Sequence, residues 1–217
     1  MHSARLSILG VALSVLISQP ALADYLSGVA AYERYDFATA YAELRPLAER
    51  GDPRAQNHVG TMYYLGRGVA QDYAEAARWY RAAADRGDAG GRSNLASLYL
   101  AGLGVAQDYG AALRLFRAAA DQGDPVAMTN LGYMHFNGLG VRADRAEAIR
   151  WYRSAAAAGQ AVAQYSLANM YENGWGMPKD MAEARRWYAA AADQGDADAQ
   201  AALRRLAQTS ALPDATR

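Results

Sequence analysis

A tandem repeat of 36 residues restricts what this chain can fold into more than any other feature of its sequence. Four whole copies follow one another without a gap, and a partial copy lies on either side of them. A unit this short cannot bury its apolar residues alone, so it has to pack against its neighbours. The period predicts an N-terminal half-unit at 24–50, whole units at 51–86, 87–122, 123–158 and 159–194, and a capping helix at 195–208.

Each unit is predicted to be two α-helices joined by a turn. A Gly-x-Gly pair such as Gly66 and Gly68 separates them, because glycine adopts the positive φ at which a helix ends. No strand pattern precedes these pairs, which argues against a nucleotide-binding loop. Aspartates that can cap free helix amides precede the first helices at Asp52, Asp88, Asp124 and Asp196, and the second at Asp72, Asp108, Asp144 and Asp180. Three second helices add a glutamate at capping-box spacing: Glu75, Glu147 and Glu183. The predicted fold class is all-α.

Large and small apolar residues recur at fixed positions in every unit. The second helices hold Trp-Tyr pairs, or Leu-Phe in the second unit, and the first helices hold Gly or Ala beside Leu or Val. Large residues that face small ones allow neighbouring helices to interlock. The 51 alanines, most of them in register, fit the same close packing. We predict a core between units, rather than a cofactor site, from Trp79–Tyr80, Leu115–Phe116, Trp151–Tyr152 and Trp187–Tyr188.

The repeated motif identifies a family resemblance. Gly-Asp-x-x-Ala-Gln-x-x-Leu-Gly-x-x-Tyr, then Gly-x-Gly-Val, then Asp-Tyr-x-x-Ala-x-x-Trp-Tyr-x-x-Ala-Ala resembles the Sel1-like repeat, a relative of the tetratricopeptide repeat, over about residues 25–206. The resemblance implies a right-handed α-solenoid of antiparallel helix pairs. It also implies a non-enzymatic scaffold or adaptor in bacterial envelope signalling or regulation. The sequence departs from the pattern at Gly90 and Gly91, at His135 in place of Tyr, and at Gln160 in place of the capping Asp.

In superhelices of this kind the first helices line the concave face, and a helical period sorts their outward residues. This face is rich in Tyr, Asn and Ser or Thr, a mixture suited to an extended peptide or a partner helix. A solvated groove without a ligand is the alternative. The predicted partner-binding residues are Arg54, Asn57, Thr61, Tyr64, Ser93, Ser97, Leu100, Thr129, Tyr133, Phe136, Tyr165, Asn169 and Glu172.

The amino terminus is predicted to be a secretory signal peptide at residues 1–23, cleaved after Ala23. Its apolar run, Leu6 to Ile17, is shorter than the ~18 residues of a spanning helix, so a retained anchor is the less favoured interpretation. The mature protein is expected to be periplasmic or secreted and to contain no integral membrane segment. The tail at 209–217 is expected to be disordered. A monomer is favoured, with a lateral contact through residues 25–37 or the last helix as the alternative.

The residue inventory excludes several kinds of site. No cysteine is present, which removes disulfides, iron–sulfur clusters and cysteine-ligated zinc. Basic and acidic residues are equal at 22 each, which argues against nucleic acid as a partner. His58 and His135 lie in different units, so no metal site and no cofactor are expected. We interpret His135 as a core substitution for Tyr, and His58 as a surface residue.

An enzymatic alternative follows from the same resemblance, because cysteine-rich relatives of this repeat have been described as penicillin-binding or β-lactamase proteins. A serine β-lactamase of the Ser-x-x-Lys type needs its lysine three residues after the serine. The single lysine is Lys179, and residue 176 is glycine, so that mechanism is excluded. The chain is expected not to be an enzyme, and a β-lactamase-like or cell-wall-fragment-binding protein is the second hypothesis.

Overall fold

The structure is a computed structural model that describes residues 19–211, and within that range it contains helices and no strand. The predicted all-α solenoid is confirmed. The helices are α1 (Gln19–Glu33), α2 (Phe37–Glu49), α3 (Pro53–Leu65), α4 (Tyr73–Asp85), α5 (Ala89–Ala101), α6 (Tyr109–Ala120), α7 (Pro125–Asn137), α8 (Arg145–Ala157), α9 (Ala161–Asn173), α10 (Met181–Ala192) and α11 (Ala197–Ala211).

Both predicted terminal segments lie largely outside the described residues. Residues 1–18 of the predicted signal peptide are not covered, and 19–23 begin α1. Cleavage after Ala23 therefore stays a prediction. At the other end α11 continues to Ala211, three residues past the predicted end of the cap at 208, and residues 212–217 are not covered.

An aspartate side chain caps the start of each second helix, as predicted. The Asp72 carboxylate accepts hydrogen bonds from the amides of Ala74 and Glu75 at 2.9 and 3.0 Å. The backbone amide of Asp72 donates in turn to the carbonyl of Tyr63 in α3, at 3.0 Å. The same bond forms from Asp108, Asp144 and Asp180 to Tyr99, His135 and Tyr171. These bonds tie the start of each second helix to the first helix of its own unit.

Only half of each predicted capping box forms: the aspartate caps the helix, and the glutamate does not bond the aspartate amide. A full box needs the glutamate to accept from the amide of the capping residue, and that amide already donates to the preceding helix. The glutamates instead pair with an arginine three residues later, as Glu75 does with Arg78 at 2.6 Å. Glu147 and Glu183 pair with Arg150 and Arg186 in the same way.

The turn glycines bring consecutive units into contact. Gly68 has φ +74°, and a Cβ there would collide with the carbonyl of Phe37 at the start of α2. Gly104, with φ +66°, stands in the same way against Tyr73 at the start of α4. The turn of each unit thus rests on the second helix of the preceding unit, with no room for a side chain.

The second residue of each predicted pair lies in the core between units, as predicted, and Trp79 is buried as well. Leu115, Trp151 and Trp187 are only partly buried against this core. Tyr80, Phe116, Tyr152 and Tyr188 are all at least 95% buried. Small residues of the first helices face them. A Cβ on Gly60 would lie 2.7 Å from the Tyr80 ring, so any larger residue at position 60 would displace the ring. Each fully buried aromatic side chain is worth roughly 1.5–3 kcal/mol relative to exposure.

The two histidines have different surroundings. His135 is 7% exposed and neither ring nitrogen has a hydrogen-bond partner, in line with its interpretation as a core substitution. The prediction that His58 is a simple surface residue is wrong. His58 is half-buried, is hydrogen-bonded to the Tyr25 hydroxyl, and meets the rings of Tyr25 and Tyr32 edge-on. It joins α3 to α1.

Candidate binding groove

The first helices of the third and fourth units present an outward face without charged side chains. Val126, Asn130, Tyr133 and Asn137 share one face of α7 by helical spacing. The equivalent residues on α9, 36 positions later, are Val162, Ser166, Asn169 and Asn173. Val126, Tyr133 and Val162 are 44, 47 and 58% exposed, an unusual exposure for large apolar residues.

A cavity of about 330 Å³, here called the distal cavity, opens between α7 and α9. The buried Tyr152 and Met170 line it together with more exposed residues. The rings of Phe136 and Trp175 meet in its wall with centroids 5.6 Å apart. Three predicted site residues line this cavity, Tyr133, Phe136 and Asn169, and the other lining residues are Asn137, Tyr152, Ser166, Met170 and Trp175.

A second cavity of about 260 Å³, here called the proximal cavity, opens between α3 and α5. Three predicted site residues line it, Thr61, Tyr64 and Ser97, and the others are Leu65, Tyr80 and Asn94. The Tyr80 hydroxyl donates to Thr61 Oγ1 at 3.1 Å. Asn94 donates to the predicted site residue Asn57 at 2.8 Å, which connects α5 to α3.

The two cavities are built from equivalent positions, two units apart in sequence. Thr61 corresponds to Tyr133, Tyr64 to Phe136, and Ser97 to Asn169. Tyr80 and Tyr152 line the two cavities at matching positions, and each ring is in close contact with a glycine, Gly60 or Gly132. We call the surface that carries both cavities the first-helix groove.

The lining of the groove is electrically neutral at physiological pH. Burial raises the pKa of Tyr80 and of Tyr152 to about 12, so both hydroxyls stay protonated. The guanidinium of Arg145 lies over the Phe136 ring at 5.8 Å, and Arg145 does not line the cavity. The groove therefore offers hydroxyl and amide groups and aromatic faces, without a fixed charge.

The C-terminal end of the groove is closed by a charged cluster. Glu172 forms an ion pair with Arg205 of α11 at 2.6 Å, and it accepts a hydrogen bond from the Tyr188 hydroxyl at 2.7 Å. The bond from Arg205, ahead of that from Tyr188, holds the pKa of Glu172 below its usual value, so the carboxylate is ionised. Asn169 Oδ1 lies 2.9 Å from the Tyr188 hydroxyl and shares its single hydrogen with Glu172. Glu172, a predicted partner-binding residue, is thus bound within the chain.

Other predicted residues lie outside the two cavities. Arg54 pairs with Asp52 at 2.9 Å and covers the Tyr25 ring. Leu100 packs partly buried against the core of the second and third units. Thr129 donates to the carbonyl of Pro125, and the Tyr165 ring packs against that of Tyr188.

The placement of Ser93 on the accessible face is wrong. Its side chain is 3% exposed and its hydroxyl has no hydrogen-bond partner. The equivalent residues Asn57, Thr129 and Tyr165 have larger side chains and are half-buried. A serine at this position ends below the surface because its side chain is too short to reach it.

Comparison with known proteins agrees with the geometry. The family model for the Sel1 repeat matches residues 53–88, 91–124, 125–160 and 161–196. The chain belongs to the Sel1 repeat family. Sel1 repeats generally mediate protein interactions, and proteins built from them are generally non-enzymatic.

Solved structures of Sel1 repeat proteins superpose well on this chain. A Sel1 repeat protein from Oxalobacter formigenes is 32% identical, with a TM-score of 0.73 over 83% of this chain and 72% of that one. The uropathogenic Escherichia coli protein c5321, described as a protective antigen, is 35% identical with a TM-score of 0.72. That match covers 84% of this chain and 40% of the E. coli chain, so this chain spans less than half of its length. No curated protein matches the sequence.

Sequence reasoning missed several residues that line the distal cavity of this Sel1 repeat protein. Trp175 is the most informative, since it lies in a turn between Gly174 and Gly176. The equivalent turn residues are Arg67, Leu103 and Leu139, so an aromatic residue is unique to the fourth unit. The sequence does contain a signal for Trp175, because a tryptophan in this turn departs from the repeat. Tyr152 was predicted as core, and it is both core and cavity lining.

Two further observations concern the described part of the chain. Residues 19–211 contain no cluster of three or more His, Asp or Glu side chains that could hold a metal ion. In the same range, no helix combines the length and apolar character needed to cross a bilayer.

Proposed function

We propose that this Sel1 repeat protein is an exported, non-enzymatic scaffold that binds a protein partner through the first-helix groove, in bacterial envelope signalling or regulation. One observation carries the proposal: two equivalent cavities lie on the same side of the array, and aromatic and amide side chains line both. Exposed apolar contact area beside satisfied polar groups is typical of protein-binding surfaces. The signal peptide predicted at residues 1–23 supports export.

Photo-crosslinking in the source bacterium tests the binding surface. A photoreactive phenylalanine analogue replaces Tyr133 on α7, which is 47% exposed, and in a matched control it replaces the exposed Ser154 on α8. We expect a specific crosslinked partner from position 133 and none from position 154. The same pattern of crosslinks from both positions would contradict binding through the groove.

Export is tested separately on the untagged protein. We expect the protein in the periplasmic or secreted fraction, with an intact mass that matches a chain beginning at Asp24. Full-length protein retained in the cytoplasm would contradict export while leaving the groove in place.

A further inference from the structure

The two cavities of the first-helix groove restrict the chemistry of the partner, an inference that rests on the function proposed above. Equivalent positions form the proximal cavity between the first and second units and the distal cavity between the third and fourth, so one ligand that follows the array meets two similar cavities in succession. Two anchors on one chain bind more tightly than either alone, because the second binds at high effective concentration.

The scarcity of charged side chains on the first helices argues against a charged partner segment. The first helices of the four whole units contain only three charged residues besides histidine, namely Arg54, Arg92 and Glu172. Arg54 and Glu172 are paired with opposite charges, Asp52 and Arg205, and Arg92 donates to the neutral carbonyl of Ala118 and lines neither cavity. A charged ligand group would lose water here without gaining an opposite charge, which is costly. The groove is therefore suited to an uncharged segment.

The two cavities differ in what they can hold. The distal cavity has the larger volume and is walled by Phe136 and Trp175, whose rings offer the tilted contacts that aromatic side chains favour. The proximal cavity is smaller, and Leu65 lies beside the hydroxyls of Thr61 and Ser97. An aromatic side chain suits the distal cavity, and an aliphatic one suits the proximal cavity.

The distance between the cavities sets the spacing of the anchors. Packed neighbouring helices lie about 10 Å apart, and the cavities are separated by two units of first helices, or roughly 20 Å. An extended peptide advances ~3.3 Å per residue, so about six residues span the gap. Six is an even number, and side chains an even number of residues apart on an extended chain point to the same side.

We propose that the first-helix groove binds an extended, uncharged peptide segment with an aromatic and an aliphatic anchor six residues apart. The aromatic anchor enters the distal cavity beside Phe136 and Trp175, and the aliphatic anchor enters the proximal cavity beside Leu65. At the proximal cavity, the Asn94 amide donates to Asn57 and keeps its oxygen as an acceptor for a peptide N–H, whereas Asn169 at the distal cavity is already bonded to Tyr188 and Tyr165.

Calorimetric titration with synthetic peptides tests the spacing. The probes are capped peptides of Ser, Asn and Gly that carry one Trp and one Leu, in both orders, three, five, six or seven residues apart. We expect the six-residue spacing to bind at least about tenfold more tightly, in one of the two orders, than the others and than a peptide with Trp alone. Two lysines between the anchors should remove this gain. Equal affinity across the series, or no binding of any peptide, would overturn the proposal.

Cavity-filling variants locate the bound peptide. Ser166→Phe fills the distal cavity and Ser97→Phe the proximal one, and each should weaken the six-residue peptide about tenfold or more. Ser154→Phe is the matched control, since the hydroxyls of Ser154 and Ser166 both donate to the carbonyl four residues earlier on an accessible helix face. Circular dichroism melts confirm that the variants fold. Equal loss in all three variants would contradict peptide binding in the cavities.

Titration with a chitin oligosaccharide distinguishes peptide binding from binding of a cell-wall fragment. Comparison with the crosslinking result distinguishes failure of this proposal from failure of the proposed function. Binding of a chitin oligosaccharide, without peptide binding, would overturn the peptide chemistry and favour a cell-wall fragment. A partner crosslinked from position 133 without any preference among the peptides would leave the scaffold role intact and reject the anchor spacing. Absence of both would reject the groove as the binding surface.

Discussion

Gly132 of α7 and Tyr152 of α8 fit together so closely that a Cβ on the glycine would lie 2.8 Å from the tyrosine ring. Gly60 and Tyr80 repeat this relationship two units earlier. In the second and fourth units the position is alanine, Ala96 and Ala168, opposite Phe116 and Tyr188. The glycine–tyrosine pairs occur in the same units whose first helices begin the two cavities.

Gly132→Ala should therefore destabilise the protein, although alanine is the better helix former. The added methyl displaces the Tyr152 ring, and overpacking of this kind costs about 1–3 kcal/mol. Gly110→Ala in α6 is the control, because its nearest contacts are side-chain atoms at 3.3 and 3.6 Å. Residue 110 lies in the first turn of α6 beside the capping Asp108, so there we expect a small gain, below the ~1 kcal/mol of a helix interior. Urea unfolding measures both, and a stabilised Gly132→Ala would refute the close fit.

His135 should make stability fall in mild acid. Desolvation by burial, ahead of nearby charges, lowers its pKa, so the ring is neutral when folded and binds a proton more readily when unfolded. Stability from this residue is thus present above the ordinary histidine pKa of about 6.5 and is lost as the pH falls below it. Urea unfolding at pH 7.5 and pH 5 should show this loss in the native protein and a smaller one in His135→Phe.

His135→Tyr should additionally raise stability at pH 7.5. The equivalent residues Tyr99 and Tyr171 accept hydrogen bonds from Arg81 and Arg153, and Arg117 stands at the matching position for residue 135. A tyrosine hydroxyl extends farther from the backbone than either ring nitrogen of histidine, so it can accept a hydrogen bond from this arginine. We expect a gain of about 1 kcal/mol, the net value of one such bond. Equal stability of the Tyr and Phe variants would show that no such bond forms.

The first helix of the fourth unit, α9, lacks a side-chain cap, and a single substitution can supply one. Gln160 makes no side-chain cap bond, yet its backbone, φ −70° and ψ 113°, matches Asp124 at −67° and 112°. Gln160→Asp should stabilise the protein by about 0.5–2 kcal/mol, and Asp124→Ala should lower its stability by a similar amount. Thermal unfolding measures both changes. A neutral Gln160→Asp would mean that the backbone match does not suffice.

Arg205 should hold the last helix against the array. Removing it leaves Glu172, whose side chain is 13% exposed, without its ion pair. We expect Arg205→Ala to cost about 1 kcal/mol and to speed amide exchange in α11 more than in α3. Arg204→Ala, one residue away and also exposed, is the control. Uniform exchange changes in both variants would contradict a local role.

The 36-residue period and the cap residues predicted most of the helix starts, because a capping aspartate and a turn glycine act locally. Ser93 and His58 were misplaced because their burial depends on neighbours that the period does not specify. For His58 these are Tyr25 and Tyr32 of α1, which belongs to no whole unit. Trp175 was missed because a turn residue joins a cavity only through contact with Phe136, 39 positions earlier.

Glycine and alanine alternate opposite the aromatic rings, so this packing position repeats every two units, or 72 residues. If one unit were inserted into the array, the glycine and alanine positions after the insertion would no longer alternate in step with those before it. An array lengthened by a pair would carry a third cavity in phase with the first two. Selection for longer ligands would then favour gain of units in pairs.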